Sequence, residues 1–281
     1  MMQIQTSQIQ NNKYVLGHSD KELSRLIHQA RFFGDLTEHV FRLAGLEPGM
    51  RVLDVGCGAG DVSFLAAGMV GPQGEVIGVD KSSEAVALAS QRASAAGLTN
   101  VRFMTQDLFE LTLDEPADAL IGRLVLMYFA DPAVILRRLT RFLKPGGLIV
   151  FHELDTSGSK SKPVCDLFET TVDRINQAFI RAGADVQTGL KLSRIFQEAG
   201  FPRPQMIQGA RVENGPDSQA YNVVTQLTRT LLPLMERAGV STAAEVGIDT
   251  LADRLREEAV SINATWVSPA FIGAWARKSS G

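Results

Sequence analysis

The sequence predicts an α/β protein built on a doubly wound, mostly parallel, seven-stranded sheet. Three observations lead there. Short apolar runs alternate with helical stretches from residue 51 to residue 151, which is the pattern of parallel strands joined by crossover helices. The strand runs are apolar throughout (VLDV, VIGV, ADALI, LIVF), as strands covered on both faces should be. The first strand breaks into a glycine turn, VGCGAGD, just before a helix begins.

The elements follow in order. Ser19, three residues before Glu22, forms a capping-box pattern, and Leu23, Leu26, Ile27, Ala30 and Phe33 recur at helical spacing. A helix or helix pair is expected to about residue 44. Strands are expected at 51–55, 75–79, 101–105, 117–121 and 147–151, with helices at 62–70, 82–96 and 132–143. Beyond Asp155 the pattern changes. A loop is expected over 156–163, helices over 164–182, 190–199, 217–239 and 243–260, and a strand over 205–212. The stretch 265–276 is expected to close the sheet. Three regions result: an N-terminal helical arm or lid (1–46), a core (47–155), and a helical cap insertion with closing strands of the same sheet (156–281).

Composition narrows the function. The chain has 281 residues, 45% hydrophobic and 21% charged, with a net charge of -3. This is long enough for one large elaborated domain or two small ones. Without a basic field to neutralise phosphates, a nucleic-acid partner is not expected. The apolar runs are too short for a membrane span. The polar opening MMQIQTSQIQNN lacks the cationic start and apolar core of a signal peptide. Two cysteines, Cys57 and Cys165, make no disulfide framework or zinc pattern, and a cytoplasmic setting fits. A homodimer is left open.

The turn is the candidate site, because ligands of open α/β sheets bind at the carboxyl ends of the strands. Its spacing is GxGxG, at Gly56, Gly58 and Gly60, rather than GxGxxG. Asp80 ends the second strand, where a carboxylate can accept from both ribose hydroxyls. Asp107 follows the third, near where an adenine amine would lie. Together these make an adenosine site, which by itself does not separate a nicotinamide dinucleotide from S-adenosylmethionine.

The ordered segments VLDVGCGAGD (52–61), VIGVDKS (76–82), VRFMTQDL (101–108) and RFLKPGGLIVFHELD (141–155) resemble the class I S-adenosylmethionine-dependent methyltransferases, whose fold is Rossmann-like. YVLGHSDKELSRLIHQA (14–30), TRTLLPLMERAGV (228–240) and FIGAWARK (271–278) extend the likeness to stand-alone bacterial small-molecule methyltransferases. The resemblance implies S-adenosylmethionine as cofactor. It implies that Gly56, Gly58 and Gly60 line the methionine part, with Asp54 holding the loop. Asp80, followed by Lys81, would take the ribose, and Asp107 with Leu108 the adenine. Arg123 would face the methionine end, and Tyr14 and Gln29 would act as lid residues.

His152 and Glu153, in FHELD at the end of the fifth strand, are the candidate catalytic pair, since either could take a proton from an attacking group. Successive strand residues face opposite sides, so a regular strand admits only one of them. His18, His28 and His39 read as surface or packing residues, and Cys57 as a small buried filler. No Asn/Asp-Pro-Pro-Tyr run and no Pro-Cys dipeptide appears, which marks down DNA amino and cytosine C5 methylation. With Gly122-Arg123 after the fourth strand, metal-independent, in-line methyl transfer to a small organic acceptor is expected. Phe168, Phe179, Tyr221 and Trp266 suit a hydrophobic or aromatic acceptor, or else fill the core. The alternative is a methyltransferase-like protein that binds S-adenosylmethionine or S-adenosylhomocysteine without catalysis.

Overall fold

The computed structural model describes residues 20–279, and their side chains from residue 32 onward. A long helix, α1 (Asp20–Ala44), leads into β1 (Arg51–Val55), α2 (Asp61–Val70), β2 (Glu75–Asp80), α3 (Ser83–Ala95), β3 (Val101–Thr105), β4 (Ala117–Arg123), α4 (Pro132–Leu139) and β5 (Leu143–Asp155). Then come β6 (Lys160–Lys162), α5 (Asp166–Arg181), α6 (Thr188–Glu198), β7 (Gln205–Gly209) and β8 (Val212–Asn214). The chain continues through α7 (Ala220–Arg237), α8 (Ala243–Val246) and α9 (Leu251–Ser261), and the described part ends with β9 (Thr265–Val267) and β10 (Ala270–Arg277).

Seven strands form one sheet in the order β3-β2-β1-β4-β5-β10-β7. All pairs from β3 to β5 are parallel and only β10 is reversed, so the sheet is the Rossmann-like one expected. Strand order turns back between β1 and β4, which opens a crevice at their carboxyl ends. Alternate residues feed two cores. Leu53, Val55, Leu120, Ile149 and Phe151 pack toward Leu192 and Phe196 of α6. Val52, Ile121, Leu148 and Val150 pack toward Val40 and Phe41 of α1 and Val62 and Ala66 of α2. The helix α1 can lie close on the sheet because β10 has a glycine beneath it: a Cβ on Gly273 would stand 2.5 Å from Val40 Cγ2.

Helix starts follow local chemistry. Ser82 Oγ accepts from Ala85 N at 3.1 Å to cap α3, and Asp131 caps α4 ahead of Pro132, each satisfying an otherwise orphaned amide. The expected helix at 132–143 ends at Leu139, followed by a 3-10 turn (Thr140–Phe142) into β5. The expected helix at 243–260 is split by Gly247, which caps α8 at φ 58; glycine takes that left-handed conformation without steric cost.

The two late strands are also split. Instead of one run at 205–212 and one at 265–276, each divides between the main sheet and a second sheet, β6-β9-β8. Phe271 faces Gly209, whereas Val267 faces Val212. Four steps on one strand oppose three on the other, which is a β-bulge that bends the ribbon. Ser268 N donates to Arg211 O and Arg211 N to Ser268 Oγ, each at 2.9 Å. The next residue, Pro269, has no amide to continue the ladder. Part of the expected loop at 156–163 becomes β6.

Beside the bend sits a separate, aromatic-rich core. Trp266 stacks on Phe168 with centroids 4.2 Å apart and meets the edge of Tyr221 at 4.8 Å. Phe168, Phe179, Tyr221 and Trp266 are all buried. No helix among the described residues is long and apolar enough to cross a membrane.

Candidate functional site

The glycine turn is held open by backbone geometry. Gly56, Gly58 and Gly60 take φ of 66, 52 and 87, a left-handed run that side chains with a Cβ resist. At Gly56 the space is also closed, because a Cβ there would lie 2.7 Å from Val125 Cγ2. Cys57 N donates to Val79 O at 3.0 Å, tying the turn to the end of β2. The Cys57 thiol is buried, and burial with Asp54 nearby raises its pKa well above the ordinary value. It is packed filler, as expected.

Three acids, Asp80, Asp54 and Asp61, surround the turn, and a fourth, Asp107, follows the neighbouring strand end. Asp80 is half-buried at the tip of β2; Oδ2 accepts from Gly58 N and Oδ1 from Ser82 N, both at 2.9 Å. Lys81, beside it, is exposed. Asp107 is half-buried and accepts from Phe109 N at 2.8 Å, with Leu108 buried next to it. Asp54 is buried beneath the turn and accepts from Ser63 Oγ of α2 at 2.6 Å. Burial lifts its pKa to about 7 against the opposing pull of Ser63 and Arg123. Asp61, which opens α2, is paired with Arg92 at 2.7 Å.

Arg123 ends β4 and is half-buried. Its Nη1 donates to Thr37 Oγ1 of α1 at 3.2 Å. The acids whose charge reaches it are Asp61 and Asp54, and these are engaged by Arg92 and Ser63. Among the described residues no carboxylate forms an ion pair with Arg123. Burial lowers the guanidinium pKa from its ordinary value.

His152 lies directly across from Arg123 in the β4–β5 register, and its Nδ1 stands 3.2 Å from the same Thr37 hydroxyl. Its ring packs 5.1 Å from that of Phe271. Burial, with Arg123 alongside, drives the imidazole pKa down to about 3, so the ring is neutral at ordinary pH.

Glu153 faces the other side of the strand. Its Oε1 accepts from Val125 N at 2.8 Å and Leu126 N at 2.9 Å. These amides belong to the turn after β4, where Leu124 takes φ 56. Among the described residues Oε2 is buried without a hydrogen-bond partner. Burial raises the Glu153 pKa to about 7, opposed by the amides of Leu126, Val125 and Met127.

The structure therefore gathers Asp54, Gly56, Gly58, Gly60, Asp80 and Arg123 around one crevice, with Asp107 and Leu108 at the neighbouring strand end. Both members of the His152–Glu153 pair are buried, at 1% and 0% exposure, on opposite faces as strand alternation requires. Tyr14, His18 and the Ser19 cap lie outside the described residues, as do the side chains of His28 and Gln29. His39 is exposed. Thr37, Ser63 and Ser82 were not singled out by sequence reasoning. Only Ser82 carried a readable signal, as a serine just ahead of a helical run. Among the described residues no group of three or more His, Cys, Asp or Glu is placed to hold a metal ion.

Residues 46–200 match the family described as methyltransferase domain. A demethylmenaquinone methyltransferase of Bacillus cytotoxicus is 30% identical over 182 residues, 60% of this chain and 77% of that protein. An uncharacterized 37.1 kDa protein in transposon TN4556 of Streptomyces fradiae is 33% identical over 65% of this chain, which spans 51% of that protein's length. In fold, a putative methyltransferase from Bacillus halodurans is similar at a TM-score of 0.58 and 17% identity, covering 86% of this chain and 98% of its own. The chain belongs to the methyltransferase-domain family, as a class I S-adenosylmethionine-dependent methyltransferase.

Proposed function

We propose that the protein methylates a small apolar acceptor of aromatic or quinone-like character, held between α1 and the cap, without a metal. The supporting observation is the lining at the carboxyl ends of β4 and β5. Leu124 and Leu154 are only partly buried there, packed against the cluster that holds Phe33, Phe168 and Phe271. Half-covered apolar side chains at a strand-end crevice favour an apolar ligand. The relative named for demethylmenaquinone points the same way.

The cofactor roles follow from the crevice. Asp80 takes the ribose hydroxyls, which its two oxygens can accept beyond the amides they already hold. Asp107 and Leu108 take the adenine. The turn at Gly56, Gly58 and Gly60 lies against the methionine part, with Arg123 on its carboxylate. S-adenosylmethionine, when bound, supplies an electrophilic methyl on a sulfonium. The protein's share is to position the acceptor and exclude water.

Neither His152 nor Glu153 serves as the base in this reading. The imidazole is spent on Thr37 and the carboxylate on the turn after β4. Tyr14 and Gln29 remain as lid residues contributed by the arm.

The test is to incubate the protein with methyl-labelled S-adenosylmethionine and a panel of apolar phenols and quinones. Label in an extracted product is expected. S-adenosylhomocysteine binding without label in any product would favour a binding protein instead. Stabilisation by a nicotinamide dinucleotide alone would overturn the cofactor assignment.

A further inference from the structure

We infer that Thr37 and His152 are positioning residues that fix the guanidinium of Arg123 for the amino-acid carboxylate of the bound cofactor, and thereby tie helix α1 to that end of the site. The inference rests on reading Arg123 as the partner of that carboxylate.

Three observations carry it. The first is a charge without a direct ion-pair partner, on which Asp61 and Asp54 act only from beyond contact. Arg123 is a half-buried cation that no acid pairs with among the described residues, while Asp54 and Asp61 are already engaged. A charge withdrawn from water is costly unless an opposite charge meets it. An anionic group arriving beside the glycine turn would do so.

The second is the valence of one hydroxyl. Thr37 Oγ1 has one proton and two lone pairs, and three partners surround it: Phe33 O at 3.3 Å, Arg123 Nη1 at 3.2 Å and His152 Nδ1 at 3.2 Å. A carbonyl can only accept and a guanidinium can only donate. The one proton therefore goes to Phe33 O, and the lone pairs receive Arg123 and a protonated Nδ1 of a neutral His152. Every bonding position of the hydroxyl is filled, and the tautomer of His152 is set by the network.

The third is registry. Arg123 and His152 are direct cross-strand partners, with side chains on one face, and Thr37 is fully buried above them. Leu124 N donates to His152 O at 3.1 Å, so the backbone locks the pair on the side where the turn to Val125 and Gly56 begins. The ring of His152 is backed by Phe271, which Phe33 of α1 also touches at 4.3 Å. The guanidinium is held from α1 by Thr37, which His152 of β5 braces in turn, and by the position of its own strand.

The experiment compares two probes by calorimetry. S-adenosylhomocysteine carries the amino-acid carboxylate, and 5′-methylthioadenosine lacks it. Thr37→Val removes the hydroxyl and keeps the shape. It is expected to weaken S-adenosylhomocysteine about tenfold, the scale of one hydrogen bond to a charged group, and to leave 5′-methylthioadenosine unchanged. Thr37→Ser should restore the affinity. Arg123→Gln should produce the same selective loss, and Thr37→Val added to it should cost nothing more. If Thr37→Val does not fold, His152→Phe, which keeps a ring against Phe271, takes its place. If Arg123→Gln leaves S-adenosylhomocysteine untouched, the carboxylate reading of Arg123 fails. If Arg123→Gln is selective but Thr37→Val is without effect, that reading stands and the positioning inference falls. Equal weakening of both probes by Thr37→Val would also overturn it.

Discussion

Asp80 reaches across the crevice to Gly58, accepting its amide at 2.9 Å on Oδ2 while Oδ1 accepts from Ser82. One carboxylate thus joins the tip of β2, the glycine turn and the start of α3. Asp80→Asn puts an NH2 where two amides donate, so one of those contacts becomes repulsive. S-adenosylhomocysteine affinity is expected to fall about 10–100-fold, with a loss of only a few degrees in Tm. Unchanged affinity in calorimetry would remove Asp80 from the ribose.

Gly56→Ala places a methyl 2.7 Å from Val125 Cγ2 at a φ of 66. Strain of this kind costs about 1–3 kcal/mol, to be read from urea unfolding. Adding Val125→Ala relieves the clash but not the backbone conformation. The cost of Gly56→Ala should therefore be smaller in a Val125→Ala background but not absent, and its disappearance there would show that φ is not the constraint.

Among the described residues Glu153 is the side-chain acceptor for the amides of Val125 and Leu126. Glu153→Ala leaves both buried and unsatisfied, at a cost of about 2–5 kcal/mol. Glu153→Gln keeps an oxygen for them and should hold most of the stability. If turnover with an identified acceptor collapses in Glu153→Gln while folding and cofactor affinity are intact, Glu153 acts as a base after all.

Burial lifts both Asp54 and Glu153 to about 7. Each keeps its proton in the folded chain at pH values where the unfolded chain has released it. The folded state binds more protons between about pH 4 and pH 7, so stability falls as pH rises through that window and levels off above it. The whole effect is about 4 kcal/mol for Asp54 and about 3 kcal/mol for Glu153. Asp54→Asn and Glu153→Gln should each flatten the Tm-against-pH curve, and an unchanged curve would count against the raised values.

Ser63 donates to Asp54 at 2.6 Å. Ser63→Ala deprives a buried carboxyl of its donor, at about 1–3 kcal/mol. The loss should be larger at pH 8, where Asp54 is mostly ionised, than at pH 5. An equal loss at both would mean that the packing of α2, not the charge of Asp54, sets the cost.

The core sheet was legible because its strands are apolar on both faces and its glycines need positive φ. Both are local properties written in consecutive residues. The acids at the strand ends were legible for the same reason. Arg123, Thr37 and His152 meet across separations of 86 and 115 residues, and nothing around Thr37 in its helix sets it apart from a small packing residue. Glu153 looked like a base because it stands beside a histidine at the right edge. What it does depends on the turn at Leu124, whose left-handed φ a leucine does not advertise. The bend at Arg211 and Ser268 was hidden in two alternating runs that read as single strands, although Pro269 offered a hint. The cap aromatics fitted either role, and in the structure they fill its core.

The place of β10 between β5 and β7 also orders events during synthesis. Residues 51–155 emerge as a continuous series of parallel neighbours, each strand pairing with one already made. The outer edge of β5 that β10 later covers, residues 148–155, then stays bare while the intervening helices are translated. β7 emerges with no strand to join, because the one that links it to the sheet spans residues 270–277. The nascent chain carries an open, apolar edge for more than a hundred residues of elongation, which is the condition under which strands pair with the wrong partner. A stop codon placed before residue 270 would strand β7 and leave that edge permanently open.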